Sequence, residues 1–165
     1  MGPLKFCSSC GSENVYSYID GHHRYHCAQC KTIHYENPKP TATIICMSDT
    51  KLLLAKRAFS PAKGEWGLPG GFMELNETLE QAARRELKEE TNLDGRVHRI
   101  LSTCSHYGTI FGDILLIGVE MVVDDFSRIK AGDDAEAVDF FDLDDLPHIA
   151  FYCHNKFINE YKSSL

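Results

Sequence analysis

The sequence predicts a mixed α+β sandwich with a small metal-stapled β module at its front. Three observations lead there. Four of the seven cysteines fall within the first thirty residues as two Cys-x-x-Cys pairs. After residue 37 several β-type apolar runs follow one another, broken by one stretch of helical spacing and closed by a second. The length of 165 residues suits one ordinary domain with an appendage.

Residues 1–36 read as a unit of their own, rich in Cys and His and poor in aliphatic side chains. Cys7-x₂-Cys10 and Cys27-x₂-Cys30, sixteen residues apart, have the spacing of a four-cysteine zinc site. Each pair on a tight turn points two thiolates at one ion, and a hairpin brings the turns together. Four thiolates close a tetrahedral Zn²⁺ shell with no place for substrate, so the site is structural. A fragment this small cannot fold on its own core.

Asn37-Pro38-Lys39-Pro40 reads as a stiff linker, and residues 37–165 as the second domain. Thr41–Met47 and Lys51–Arg57 read as two strands joined at Ser48-Asp49-Thr50 into a hairpin. Residues 58–76 read as a loop ending in Leu68-Pro69-Gly70-Gly71. A helix follows, started by the capping box Thr78/Gln81, with an apolar stripe of Leu79, Ala82, Ala83 and Leu87. Asn92 ends it in the left-handed conformation. Val97–Thr103, Asp113–Val123 and Ala137–Asp142 read as strands. Ile149–Tyr161 closes the chain as an amphipathic helix, with Ile149, Tyr152, Cys153, Phe157 and Tyr161 on one side. Cys46, Cys104 and Cys153 read as isolated buried thiols.

Composition excludes some function classes. No run is long and apolar enough to cross a bilayer. The opening residues lack a secretory signal, and the expected compartment is the cytoplasm. A net charge of −7 argues against a protein that grips a nucleic-acid backbone. It leaves a phosphate-bearing small molecule open, because divalent cations bridge acidic sites to polyphosphates.

The chemistry concentrates on the central helix. Glu86, Glu89 and Glu90 stand at i, i+3 and i+4 and share one face near the helix C-terminus, where the dipole disfavours anions. Such a row costs stability, and the glycine loop before it lets backbone approach a ligand closely. Carboxylates with a backbone carbonyl, at Gly70 or Gly71, form the hard oxygen shell that Mg²⁺ prefers.

Gly71-x₅-Glu77-x₇-Arg85-Glu86-Leu87-x-Glu89-Glu90-x-Asn92-Leu93 resembles the Nudix box at every defined position but one, where Asn92 replaces the family's last glycine. Gly64-x-Trp66-x-Leu68-Pro69-Gly70-Gly71-x-x-Glu74 resembles the approach to the box. Gly132-Asp133-Asp134-Ala135, Phe140-Phe141 and Asp145-Leu146-Pro147 resemble the family's last strand and its exit. The resemblance implies a Nudix-type α/β/α sandwich around a mixed sheet. It also implies hydrolysis of a diphosphate with Mg²⁺, or Mn²⁺ in its place.

Carried over position by position, Glu86, Glu89 and Glu90, with the Gly71 carbonyl, would hold the metal. Arg85 would pair with Glu77 to hold the loop. Glu90 is the first choice to deprotonate the attacking water and Glu136 the second. Trp66 stacks on a base or anchors its loop; Arg57 reaches a phosphate or is a surface cation. His106, Tyr107 and Phe111 belong to a substrate-facing loop. The ribbon-plus-box layout, with Ala150-Phe151-x-x-His154, is similar to the ADP-ribose pyrophosphatase group. The Ser-Gln-Pro-Trp-Pro-Phe-Pro run of the NADH pyrophosphatases is absent, and Ser102–Gly108 stands in its place. NADH, FAD, a nucleoside triphosphate, or a non-catalytic sensor of nucleotide sugars remain alternatives, and a homodimer stays open.

Overall fold

A computed structural model describes residues 4–132 and 134–165; residues 1–3, which open the N-terminal segment, and Asp133 lie outside the described residues. Strands β1 (Asn14–Ile19), β2 (His22–Cys27) and β3 (Ile33–His34) form a three-stranded antiparallel ribbon. The remaining strands are β4 (Lys39–Ser48), β5 (Lys51–Arg57), β6 (Trp66–Gly67), β7 (Gly70–Phe72), β8 (Arg96–Thr109), β9 (Gly112–Val122) and β10 (Ala135–Asp142). They make one mixed sheet of order β10-β5-β4-β9-β8, with β6 paired to β5 and β7 to β4. Helices α1 (Leu79–Thr91) and α2 (Tyr152–Lys162) cover its two faces.

The alternation along β4 explains the sandwich. Ala42, Ile44 and Cys46 pack with Ala82, Ala83 and Leu87 of α1. Ile45 turns the other way, into the cluster of Cys153, Phe157, Ile158 and Tyr161 on α2. A strand buried on both faces reads as a continuous apolar run, as Thr41–Met47 does. Its neighbours differ along its length: β7 lies beside Thr41–Thr43 and β5 beside Met47–Ser48, while β9 runs parallel on the other side. The sheet therefore splays near the start of β4, which is where a cleft forms.

Helix α1 keeps its expected signals. Thr78 accepts from the Gln81 N–H, Gln81 caps in return, and Asn92 ends the helix at φ 58°. Several expectations need correction. The segment 58–76 is not all loop: it holds β6, paired to β5, and β7, paired to β4, both too short and too rich in glycine to show a period. Strand β4 begins at Lys39, so Pro40 lies in the strand instead of a linker, near its first position where a missing N–H is tolerated. Helix α2 starts at Tyr152, since the Ala150 N–H is taken by the Trp66 carbonyl at 2.9 Å. Tyr152 is exposed, and His154 takes its expected place in the core. Cys104 and Cys153 are not isolated thiols. They pair as a disulfide across 49 residues with Cα atoms 5.8 Å apart, tying β8 to α2. Cys46 remains a buried thiol, its pKa pushed up to about 12 by burial.

Candidate functional site

Arg85 organises the carboxylate row. Its Nε and Nη2 donate to the two oxygens of Glu77 at 2.7 and 2.9 Å, and Nη2 also reaches the Phe72 carbonyl at 3.0 Å. Nη1 donates to Glu86 Oε1 at 2.7 Å and to Glu89 Oε2 at 2.9 Å. One guanidinium thus fastens β7, the loop before α1 and two carboxylates of the helix. This bidentate fork is a task that lysine could not perform. The Arg85 hydrogen bond to Glu77, helped by the Glu74 N–H, holds the Glu77 carboxyl down to about 2.

Glu86 is only 9% exposed and Glu90 is half-buried, whereas Glu89 is exposed. Burial raises the pKa of Glu86, against the pull of Arg85. Burial likewise pushes Glu90 up to about 8, although the Gly70 N–H donates to its Oε2 at 3.2 Å and the Arg57 charge favours the anion. The charged form of each acid is only partly compensated by the protein. Three carboxylates against one guanidinium, beside backbone oxygens, is a donor set that suits a hard divalent cation. Their oxygens do not close into a tight group as the ribbon thiols do. Among the described residues, the only set of three or more metal-ligating side chains with donor atoms all within 4.8 Å of one another is Cys7, Cys10, Cys27 and Cys30. Those four thiols fit a closed tetrahedral ion such as zinc.

The glycine pair is fitted to this row. A Cβ on Gly71 would stand 2.6 Å from Glu86 Oε1, and one on Gly70, where φ is +142°, would lie 2.1 Å from the Ala42 carbonyl. The Gly71 clash is with the end of a flexible side chain, so alanine there displaces the carboxylate more than it unfolds the chain. Gly71→Ala is expected to lower turnover by about a hundred-fold, the usual cost of a misplacement near 1 Å, with little change in Tm. A parallel loss of both would show the glycine to be structural only.

Beside the glycine edge lies a cavity of about 400 Å³. Its walls include Arg57, Gly70, Gly71, Phe72, Phe111 and Phe151, and its floor includes Thr41 and Thr43. Gly71 therefore lines the cavity and also abuts the Glu86 carboxylate. His154 lines it as well and accepts from the Leu68 N–H through Nδ1 at 3.0 Å, pinning the Leu68-Pro69-Gly70 turn to α2. Burial holds that imidazole neutral, its pKa brought down to about 3.

The expected site residues divide accordingly. Glu77, Arg85, Glu86, Glu89, Glu90, Gly70 and Gly71 come together, and Arg57 joins them from β5, anchored by its Nε on the Pro61 carbonyl at 2.8 Å. His106, Tyr107 and Phe111 line the cavity. Trp66 does not line it; it meets Phe141 edge-on at 4.8 Å and bridges to Ile149. Glu136 pairs with Lys56 at 3.7 Å on β10. Asp134, two residues earlier, is the acid of that loop whose charge acts on Glu90. Sequence reasoning missed Asp134, Thr41, Phe72 and His154 as site residues. Asp134 and His154 carried a signal, in their segments' family likeness.

Residues 37–161 match the NUDIX domain family and residues 5–36 the Nudix N-terminal family. The ADP-ribose pyrophosphatase of Methanocaldococcus jannaschii is 41% identical over 135 residues, 77% of this chain and 75% of that protein. The NAD-capped RNA hydrolase NudC of Vibrio atlanticus is 35% identical over 91 residues, 55% of this chain but only 33% of that protein. A crystal structure of a NUDIX hydrolase from Nitrosomonas europaea superposes with a TM-score of 0.86 at 34% identity, covering 98% of this chain and 92% of that one.

Proposed function

Because the chain belongs to the Nudix hydrolase family, we propose that it hydrolyses the diphosphate of ADP-ribose or a closely similar nucleoside diphosphate sugar, releasing AMP and a sugar phosphate. The observation that carries this reading is the shared edge of Gly70 and Gly71. The cavity opens on it, the Gly71 Cα faces the Glu86 carboxylate, and the Gly70 N–H holds Glu90. A substrate with its nucleoside in the cavity would bring its diphosphate to that edge. The relative named for ADP-ribose supports the substrate class.

In this reading Glu86, Glu89 and Glu90 hold Mg²⁺, for which Mn²⁺ substitutes. The bound ion supplies charge neutralisation at the diphosphate and a more acidic water. Glu90, oriented by the Gly70 N–H, takes the proton of the attacking water. The water oxygen bonds to one phosphorus, the bridging P–O bond breaks, and the other phosphate leaves with the electron pair. Arg57, on the cavity wall, steadies the diphosphate. Arg85 holds Glu86 and Glu89 in place and does not touch substrate. The Cys7, Cys10, Cys27 and Cys30 module, proposed as residues 1–36, holds Zn²⁺ and takes no part in chemistry. Residues 37–165 are proposed as the hydrolase domain. No helix among the described residues is long and apolar enough to cross a membrane.

The test is product analysis by chromatography after incubation with Mg²⁺ and ADP-ribose, NADH, NAD⁺, FAD or a nucleoside triphosphate. AMP with ribose 5-phosphate from ADP-ribose is the expected result. Inorganic pyrophosphate from a triphosphate would replace the reading with a different substrate class. Tight nucleotide-sugar binding without turnover would replace it with a sensor. A second reading, a dinucleotide such as NADH, is favoured by the likeness to NudC and would also release AMP.

A further inference from the structure

Thr41 sits where the fold gives its side chain nothing to do. It is 8% exposed, yet its Oγ1 has no hydrogen-bond partner. A buried hydroxyl without a partner loses its hydration and gains nothing in return, so valine in the same space would be the more stable choice. The strand itself does not require threonine, for Ile44 and Ile45 serve equally well further along.

Its place is informative. On β4, Thr41 stands opposite Phe72 of β7 and beside Leu116 of β9, and all three line the cavity. Phe72 meets Phe111, at the tip of the β8–β9 hairpin, edge to face with centroids 5.4 Å apart. Phe151 and Tyr107 add further aromatic wall. A cavity of about 400 Å³ is of the size that takes a small-molecule group. Aromatic carbon from Phe72, Phe111, Phe151 and Tyr107, with the partnerless Thr41 hydroxyl among it, suits a ring with apolar faces and a polar edge.

We infer that this cavity seats the nucleobase of the substrate, and that the Thr41 hydroxyl makes the hydrogen bond that reads the base's polar edge. Thr41 is then a specificity-determining residue. The inference rests on the proposed function for the position of the diphosphate, at the glycine edge where cavity and carboxylates meet. The hydroxyl both donates and accepts, and one χ1 step about Cβ carries Oγ1 to another staggered position, so it can turn to a base with no backbone movement. The free protein carries an unpaired hydroxyl that the bound base satisfies. That cost explains why the position holds threonine and not valine.

The experiment uses the full, metal-loaded chain with Thr41→Val and Thr41→Ser. Calorimetry measures binding of AMP and of ribose 5-phosphate, kinetics gives KM and kcat for ADP-ribose, and thermal melting gives Tm. Thr41→Val is expected to weaken AMP binding about ten-fold, the worth of one hydrogen bond. Ribose 5-phosphate binding should be unchanged. KM should rise about as much, with kcat within about two-fold, as for an interaction made equally in ground and transition states. Tm should be no lower than that of the wild type, and Thr41→Ser should keep AMP binding. Unchanged AMP binding in Thr41→Val overturns the inference. Equal loss for AMP and ribose 5-phosphate overturns it too, by placing the hydroxyl at the sugar phosphate. A lowered Tm with general weakening makes the residue structural and also overturns it. AMP binding that depends on Thr41 in a protein that hydrolyses nothing keeps the base seat and removes the proposed function. Hydrolysis of ADP-ribose unaffected by Thr41→Val does the reverse.

Discussion

Glu90→Gln is expected to lower kcat by roughly three orders of magnitude while leaving the protein folded, within the range for loss of a general base. The amide keeps the shape of the carboxyl and can still accept from the Gly70 N–H, which holds Glu90 Oε2 at 3.2 Å. It loses the ability to take a proton. Stability provides the control. The Glu90 carboxyl is pushed up to about 8 by burial, above the ordinary 4.5. An acid whose folded pKa is raised loses stability as pH rises through the window between the unfolded and folded values. The wild type should therefore lose stability between about pH 4.5 and 8, by an amount on the order of a few kcal/mol. The variant lacks that dependence, so in chelator its Tm advantage should grow with pH. A variant retaining wild-type kcat would remove Glu90 from the proton transfer and turn attention to Asp134, whose charge acts on it.

Loss of the zinc proposed for the ribbon should have the second large effect. Cys7, Cys10, Cys27 and Cys30 bring their sulfurs within 4.8 Å of one another, with Cys7–Cys30 at 3.6 Å and Cys10–Cys27 at 3.5 Å. The ribbon exposes Phe6, Tyr16, Tyr18 and Tyr35 and has few apolar side chains to bury, and none of β1–β3 pairs with the main sheet. Structural zinc sites contribute about 10–16 kcal/mol of apparent binding energy, and zinc on these four thiols, as proposed, would supply the folding energy of the module. Cys27→Ser should abolish stoichiometric zinc, measured by elemental analysis, and collapse hydrogen-exchange protection in β1 and β2. Protection in α1 should persist. A Cys27→Ser protein with protected β1 and β2 amides would show that the ribbon folds without metal.

What the sequence made legible follows from distance along the chain. The capping box at Thr78, the left-handed end at Asn92 and the row Glu86, Glu89 and Glu90 are local patterns, and the helix reproduces each of them. The cysteine pairs are local in the same sense. The cavity was legible only in pieces, such as Arg57, His106, Tyr107 and Phe111, because its parts come from the start of β4, the tip of the β8–β9 hairpin and the first turn of α2, which only the fold brings together. Thr41 reads in sequence as one more β-branched strand residue, and its missing partner appears only in three dimensions. The Cys104–Cys153 pairing was hidden for the same reason. Strands β6 and β7 escaped because two or three residues cannot show a period of two.

The contact between Gly71 and Glu86 has a consequence for descent. The carboxylate occupies the space that any side chain at position 71 would need, at 2.6 to 2.8 Å from the would-be Cβ. Position 71 is then not free to change first: a larger residue there evicts the acid, and only a lineage that has already given up the acid can accept one. The two codons are bound in order as well as in partnership. Chains that abandoned the chemistry should show an altered position 86 beside a retained glycine more often than the converse.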